Sequence, residues 1–286
     1  MTANLRVAEW LAPGAAARWV ADQWFRLPPG PRPVEVPEGG TPFEVAWEHG
    51  VVRGTWWGDG PVVYLVHGWG GRGDQFGALV EPLVASGHRV VVFDAPSHGA
   101  SDPGSYGRTS TTGLEFAKAL DAVFTRFGPA QAVVAHSMGT LATLLALRFG
   151  WLGTERLVFV APMSGYASTM DGFQAMLGFG PRIRRRVDAR VWARVGLAPD
   201  QFELLSLWSG LEGPVPALVL HDLEDPQTSY KESRQAADAV GAEFVGTSGL
   251  GHNRILRDPA VVARIVGFLE TPGRQDETRV TLPATA

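Results

Sequence analysis

Ser137 has the sequence surroundings of a catalytic nucleophile. A short apolar run from Ala132 to Ala135 precedes it, and a nearly all-apolar stretch from Leu141 to Leu147 follows it. The small residues Ala135 and Gly139 lie two positions to either side, as required where a strand turns into a helix within one residue. A serine at such a turn is strained and presents its hydroxyl above the sheet. The alternative is a serine that only caps the helix, and the flanking strand and helix favour the nucleophile.

Other strand-like runs also end beside groups that could assist a nucleophile. The run ending at Val66 is followed by the glycine-rich turn 67–71, whose backbone N–H groups could face a developing oxyanion. The loop after Leu220 offers three carboxylates, and His252 follows the run that ends at Val245. A serine hydroxyl needs an imidazole to take its proton, and the imidazole needs a carboxylate to orient it. The sequence thus predicts acyl transfer by a serine, a histidine and one of Asp222, Glu224 and Asp225.

Eight strand-like runs would position these groups. Phe43 to Trp47 and Val51 to Trp57 alternate between apolar and polar residues like an antiparallel pair. The other six runs are continuously apolar, which indicates strands buried on both faces of a parallel sheet between layers of helices. Binding sites in such sheets lie at the carboxyl ends of the strands. We therefore predict an α/β fold with a mostly parallel central sheet, whose six apolar runs are Val62 to Val66, Val90 to Phe93, Ala132 to Ala135, Leu157 to Val160, Ala217 to Leu220 and Glu243 to Val245.

The interval after Val160 is too long for one crossover and predicts an inserted helical cap over residues 163–199. The core then comprises residues 43–162 and 200–270, and residues 271–286 form a polar tail. Residues 1–42 are predicted to be a helix and a proline-rich connector packed on the body. The helix is indicated by apolar residues at helical spacing, namely Ala16, Trp19, Val20, Trp24 and Leu27. A membrane-surface helix is the alternative, which the mixed charge of its polar face disfavours.

Taken together, these motifs resemble the alpha/beta-hydrolase family from about Phe43 to Leu269. The resemblance rests on the His67-Gly68 turn, the segment from Asp94 to Ser101, the serine turn, the acid loop and the Gly251-His252 pair, in the order serine, acid, histidine. It implies a cofactor-independent enzyme. It also implies roles for individual residues: Ser137 as nucleophile, His252 as general base, Asp225 as the acid that orients it, and the backbone N–H groups of Trp69 and Met138 as the oxyanion hole.

The expected activity is hydrolysis of carboxylic esters or thioesters of small to medium apolar acyl groups through an acyl-enzyme. A lactonase, an acyltransferase and a C–C bond hydrolase would use the same three residues. A serine rather than an aspartate at position 137 disfavours the dehalogenase and epoxide hydrolase branches of the family. Apolar residues of the predicted cap suggest a greasy pocket, so the candidate substrate-binding residues are Trp69, Met163, Phe173 and Met176. The arginines between Arg182 and Arg186 could bind an anion, but a solvated helix face is the commoner meaning.

Two other classes of protein compete with this interpretation. Gly68, Gly70 and Gly73 satisfy the dinucleotide-binding pattern, with Asp94 about twenty residues further on. The serine turn and the terminal histidine are then unexplained, which favours the hydrolase over an NAD(P)-dependent dehydrogenase. A hydrolase fold kept only for binding is the other alternative, and the complete triad argues against it.

Composition and charge exclude several classes of partner and site. The 286 residues carry a formal net charge of −4 and no basic stripe, so nucleic acid is not expected as a partner. The absence of cysteine excludes disulfides and thiol catalysis, and a metal site drawn from His221, Asp222 and His252 lacks a supporting His-x-x-x-His pair. No run is long enough to span a bilayer and no signal peptide is apparent, so a cytoplasmic location is expected. The sequence leaves the oligomeric state open.

Overall fold

All eight predicted strands form one sheet in the computed structural model, which describes residues 2–270. The sheet order is β1-β2-β4-β3-β5-β6-β7-β8, with β1 and β2 antiparallel to their neighbours and the other strands parallel. This arrangement confirms the predicted α/β fold with a mostly parallel sheet. The strands are β1 (Thr41–Trp47), β2 (Gly50–Trp57), β3 (Val62–Val66), β4 (Arg89–Phe93), β5 (Ala130–His136), β6 (Thr154–Val160), β7 (Ala217–Asp222) and β8 (Glu243–Thr247).

Helices cover both faces of the sheet, which explains why the central strands are continuously apolar. Tyr64 and Val66 of β3 face one hydrophobic layer, and Val63 and Leu65 face the other. The first layer contains α4 (Gly113–Phe127), α5 (Met138–Arg148), α8 (Leu204–Ser209) and α9 (Tyr230–Val240). The second contains α3 (Gly77–Ala85) and α11 (Pro259–Glu270), and a short helix, α10 (Gly251–Arg254), precedes α11 in the chain.

Two segments form a third hydrophobic cluster beside this core. The inserted segment, residues 163–199, contains α6 (Tyr166–Leu177) and α7 (Pro181–Val195). The N-terminal segment contains α1 (Thr2–Leu11) and α2 (Pro13–Trp24). Apolar residues of all four helices pack together, including Leu5, Val20, Met170, Ile183 and Val187.

The N-terminal segment differs from its sequence prediction in two respects. It forms two helices rather than one, because Pro13 cannot continue α1 and instead occupies the first turn of α2. In addition, α2 packs mainly against α7 of the inserted segment rather than against the body. The connector after α2 does follow the core, since Leu27 N–H donates to the Thr109 carbonyl (2.9 Å) and Trp57 Nε1–H donates to the Pro37 carbonyl (3.0 Å).

The predicted polar tail, residues 271–286, lies outside the described residues. Within residues 2–270, no helix combines the length and the apolarity needed to cross a bilayer.

Candidate active site

Ser137 lies at the turn between β5 and α5 with a backbone φ of 53°. This left-handed conformation costs a non-glycine residue on the order of 1–3 kcal/mol, and the fold compensates by fixing both sides of the turn. Ser137 N–H donates to the Val160 carbonyl (3.1 Å), and the Ser137 carbonyl accepts from Met163 N–H (3.2 Å). Within the described chain, the Ser137 hydroxyl makes no capping hydrogen bond to α5. The hydroxyl is therefore not committed to the helix.

Two glycines make room for this turn. A Cβ atom on Gly68 would lie 2.7 Å from the Cβ atom of Ser137, so the glycine-rich turn after β3 can approach the serine only without a side chain. A Cβ atom on Gly139 would clash with the Val66 carbonyl oxygen. The small residues around the serine thus serve the close approach of β3 and α5.

Asp225 and His252 form a buried hydrogen-bonded pair. His252 Nδ1 lies 2.7 Å from Asp225 Oδ2, and the two side chains are 5% and 0% exposed. The other carboxylate oxygen, Oδ1, accepts the N–H groups of Gln227 (2.7 Å) and Thr228 (3.1 Å). Burial alone would raise the pKa of Asp225, but the hydrogen bonds from His221, His252 and Gln227 outweigh it and hold that pKa below its usual value. Asp225 is therefore an ionised carboxylate that fixes the orientation of the His252 ring.

His221 is a second histidine on the same carboxylate. Its Nε2 atom lies 3.2 Å from Asp225 Oδ2 and 3.3 Å from Thr228 Oγ1, and its side chain is fully buried. Sequence analysis considered His221 only as one residue of a metal site and did not place it beside Asp225 as a hydrogen-bond partner. Its spacing of four residues from Asp225 is the one sequence signal of this contact, because a tight loop after β7 returns the acid to the strand end.

Asp222 connects the loop that carries Asp225 to the loop that carries His252. Its buried carboxylate accepts Glu224 N–H (3.0 Å), the Thr247 hydroxyl (2.7 Å) and Leu250 N–H (3.0 Å). Burial would raise the pKa of Asp222, but the hydrogen bonds from Thr247 and the surrounding backbone N–H groups lower it. Within the described residues, the Asp222 carboxylate is thus committed to bracing the turn and makes no hydrogen bond to the His252 ring.

His136, the residue before Ser137, links the serine turn to the loop that carries His252. Its ring lies 4.6 Å from the His252 ring, and its Nε2–H donates to the His252 carbonyl (2.9 Å). Its Nδ1 atom accepts from Gln75 Nε2 (3.2 Å). Burial and the neighbouring His252 lower the pKa of His136 to about 3, which keeps the ring neutral and this donor pattern fixed. Sequence analysis missed this role, because the position varies in the usual serine pattern.

His67 and His98 shape the glycine-rich turn. His67 Nε2 accepts Ala95 N–H (2.9 Å) while its Nδ1–H donates to the Gly68 carbonyl (2.7 Å). His98 Nε2 accepts Gly70 N–H (3.0 Å) while its Nδ1–H donates to the Pro96 carbonyl (2.9 Å). Burial lowers the pKa of His67 and, together with the nearby His67 ring, lowers that of His98 to about 3. Both rings are neutral and hold the glycine-rich turn in place through these hydrogen bonds.

A cavity of about 730 Å³ opens above Ser137. All four predicted substrate-binding residues line it, as does the second residue predicted for the oxyanion hole: Trp69, Met163, Phe173, Met176 and Met138. Residues of the N-terminal segment also line it, and sequence analysis missed them: Trp19, Gln23, Trp24, Phe25, Arg26, Leu27, Pro28 and Pro29. Helical periodicity reveals the apolar face of such a segment but not the cavity that this face borders.

The glycines of the dinucleotide pattern are used differently here. Gly68 abuts Ser137, and Gly73 lies in a 3₁₀ turn rather than at the start of a long helix. Asp94, which would bind a ribose, accepts the N–H groups of Gly73 (2.8 Å) and Ala100 (2.8 Å) instead. Among residues 2–270, no group of three or more His, Asp or Glu side chains is arranged to hold a metal ion.

Solved structures with the same fold include esterases and a thioesterase domain. An esterase from Pyrococcus furiosus superposes with a TM-score of 0.63 at 18% identity, over 86% of this chain and 97% of its own. The thioesterase domain from the curacin biosynthetic pathway superposes with a TM-score of 0.61 at 17% identity, over 82% of this chain and 100% of its own. An esterase from Rhodococcus sp. gives 0.60 at 18% identity, over 80% and 98%. These identities are low, so the likeness shows the fold alone.

No curated protein sequence matches the chain. The sequence profile of the alpha/beta hydrolase family matches residues 63–265, which run from β3 into α11 and include the serine turn, the acid loop and His252. The chain belongs to the alpha/beta hydrolase family.

Proposed function

We propose that this hydrolase is a serine hydrolase that cleaves carboxylic esters or thioesters of apolar acyl groups through an acyl-enzyme. The observation that carries the proposal is the buried hydrogen bond between Asp225 and His252, in a fold that holds Ser137 in a strained turn beneath an apolar cavity. Nucleophile, base and orienting acid are the three groups that acyl transfer by serine requires.

In the first half-reaction, the Ser137 oxygen attacks the acyl carbon while His252 takes the hydroxyl proton. The tetrahedral oxyanion is stabilised by the backbone N–H groups of Trp69 and Met138, at on the order of 3 kcal/mol per donor. The C–O or C–S bond to the leaving group then breaks, and His252 returns the proton to the departing alcohol or thiol. Asp225 stabilises the imidazolium that exists between these steps.

In the second half-reaction, water attacks the acyl-enzyme and His252 takes its proton. Collapse of the second tetrahedral intermediate breaks the ester bond to Ser137, releases the carboxylic acid and restores the serine hydroxyl. The same groups act in reverse order, so no further residue is needed.

The lining of the cavity supports an apolar acyl group. Its walls are mostly aliphatic and aromatic, and its volume falls within the range of about 300–1,000 Å³ that is usual for small-molecule sites. Residues 163–199 supply part of these walls from α6 and α7, and we assign this inserted segment the role of a cap. The proposed partner is a small ester-like molecule, and lactone opening, transfer to an alcohol and C–C cleavage are alternatives that the same triad serves.

The test is covalent labelling combined with turnover. A fluorophosphonate should add one phosphonyl group to Ser137, located by peptide mass spectrometry, and p-nitrophenyl esters of graded length should be hydrolysed. Ser137→Ala should lose both labelling and hydrolysis. An unlabelled wild-type protein without turnover of any ester would refute the proposal and favour a binding protein with this fold.

A further inference from the structure

We propose that residues 19–29, called here the N-terminal wall, determine the length of acyl group that the cavity accepts. This inference rests on the proposed function for its substrate class. It adds a specificity determinant that lies outside the region matched by the family profile, which begins at Val63.

The N-terminal wall contributes directly to the cavity above Ser137. Its lining residues run from the end of α2 into the start of the connector, from Trp19 and Trp24 to Leu27 and Pro28. Pro28 also packs against the glycine-rich turn after β3, because a Cβ atom on Gly70 would clash with the Pro28 ring. The wall therefore lies against the turn that carries the proposed oxyanion donor Trp69.

Aromatic packing joins the wall to the inserted segment. The Trp24 ring meets the rings of Tyr166 (5.6 Å) and Phe173 (5.3 Å) edge to face, and all three residues line the cavity. Edge-to-face pairs of this kind hold ring orientations as well as burying apolar area. Two ring contacts from α6 thus fix the position of the indole in the cavity lining.

Arg194 of α7 contacts the middle of the wall, at Phe25. Its guanidinium lies between the rings of Phe25 (4.1 Å) and Tyr106 (3.8 Å), and its Nη2 donates to Ser110 Oγ (2.6 Å). Ser110 Oγ–H in turn donates to the Phe25 carbonyl (2.9 Å). The Arg194 side chain therefore connects the wall, the inserted segment and a core loop. These contacts hold the wall in place, so an acyl chain would meet it as a fixed surface.

Two substitutions change the space at the wall in opposite directions. Trp24→Ala removes an indole from the lining, and Gln23→Trp adds one from a half-buried position on the same helix. Trp10→Ala is the matched control, because Trp10 lies on α1 with 69% of its surface exposed and does not line this cavity. The measurement is kcat/KM across p-nitrophenyl esters from acetate to laurate, with the thermal midpoint of each variant as a check of folding.

We expect Trp24→Ala to move the preferred acyl length toward longer chains and Gln23→Trp to move it toward shorter ones. Each should change the ratio of kcat/KM for decanoate to that for butyrate by about tenfold or more, since one methylene in a pocket is worth about 10–200-fold. Trp10→Ala should leave the ratio unchanged. A ratio within twofold of wild type in Gln23→Trp, or an equal change in the Trp10→Ala control, overturns the inference. If Trp24→Ala does not fold, Gln23→Trp decides.

Binding of decanoic acid, measured by calorimetry, separates this inference from the proposed function. Gln23→Trp should weaken binding about tenfold relative to wild type, and Trp10→Ala should not. If no ester is hydrolysed by the wild type, the proposed function fails while the binding comparison still decides the role of the wall. If esters are hydrolysed but neither the ratio nor the binding changes, only the wall is refuted.

Discussion

Replacing Asp225 by asparagine tests how the acid orients His252. The carboxylate uses its two oxygens differently: Oδ1 accepts two backbone N–H groups, and Oδ2 faces His252, His221 and the Thr228 hydroxyl. The two backbone N–H groups at Oδ1 can only donate, whereas an imidazole or a hydroxyl can also accept, so the asparagine oxygen should keep the Oδ1 position. The amide N–H₂ then faces His252 Nδ1, and that atom must become an acceptor. The proton moves to Nε2, the nitrogen that should take the serine proton.

The expected loss of kcat is large because the substitution changes the tautomer of His252 and not only the position of its ring. The wrong tautomer cannot accept a proton from Ser137, and comparable substitutions in serine proteases lower kcat about 10⁴-fold. That factor corresponds to about 5 kcal/mol of transition-state stabilisation. We expect this decrease in Asp225→Asn for hydrolysis of p-nitrophenyl butyrate. The ¹⁵N chemical shifts of His252 should report the change of tautomer directly.

Asp222→Asn is the matched control in the same loop. Asp222 accepts from Glu224, Thr247 and Leu250, so its substitution leaves one donor unpaired and removes the charge from the others. We expect a loss of about 2 kcal/mol in stability, seen as a decrease of roughly 5 °C in thermal midpoint, with kcat within about tenfold of wild type. A large loss of kcat in Asp222→Asn with a small one in Asp225→Asn would refute the reasoning and reverse the two roles.

Three further predictions concern the serine, its turn and the buried histidines. Ser137→Ala should abolish ester hydrolysis with a thermal midpoint within a few degrees of wild type, and hydrolysis at the wild-type rate would contradict the mechanism. Gly68→Ala should lower kcat/KM at least about tenfold, because its Cβ atom would lie 2.7 Å from that of Ser137; equal activity in the two proteins would show that the turn has room to spare. His98 and His136, whose pKa values burial lowers to about 3, take up protons only on unfolding as the pH falls below about 6.5. The free energy of unfolding, measured in urea at pH 7, 6 and 5, should therefore fall with pH by up to about 1.4 kcal/mol per unit for each of them, and a constant value would contradict their neutrality.

Most of the sheet could be predicted because burial on both faces leaves a direct record in the sequence. The runs Val62 to Val66 and Ala132 to Ala135 are apolar at every position, and the structure places them side by side at the centre of the sheet. The long interval after Val160 likewise indicated an insertion. These features depend on local composition, which a single sequence displays.

The partners of individual polar residues were harder to predict. Asp222 and Asp225 lie three residues apart, and the choice between them as the acid came from family resemblance rather than from the residues themselves. The contact of His136 with the loop that carries His252 depends on how separate loops converge at the end of the sheet. Single-sequence patterns carry no signal of that convergence.

The packing partner of the N-terminal segment was also not predictable from the sequence. The spacing of Ala16, Val20 and Trp24 correctly indicated a helix with one apolar face. A helix of this kind can bury that face against any apolar surface, and the choice of α7 depends on a segment about 170 residues further along the chain. Periodicity therefore predicted the element and missed its partner.

The distance in sequence between these partners also affects how the protein is made. Glu9 of α1 accepts the N–H groups of Gly180, Arg182 and Ile183 at the start of α7, across 171, 173 and 174 residues. At about 5–20 residues per second, the ribosome delivers α7 roughly 10–35 seconds after α1. The apolar faces of α1 and α2 therefore stay uncovered by α7 until most of the sheet has been synthesised. It follows that the cavity is completed late in biogenesis, and that chaperones which shield nascent apolar helices have their longest opportunity to act on this N-terminal segment.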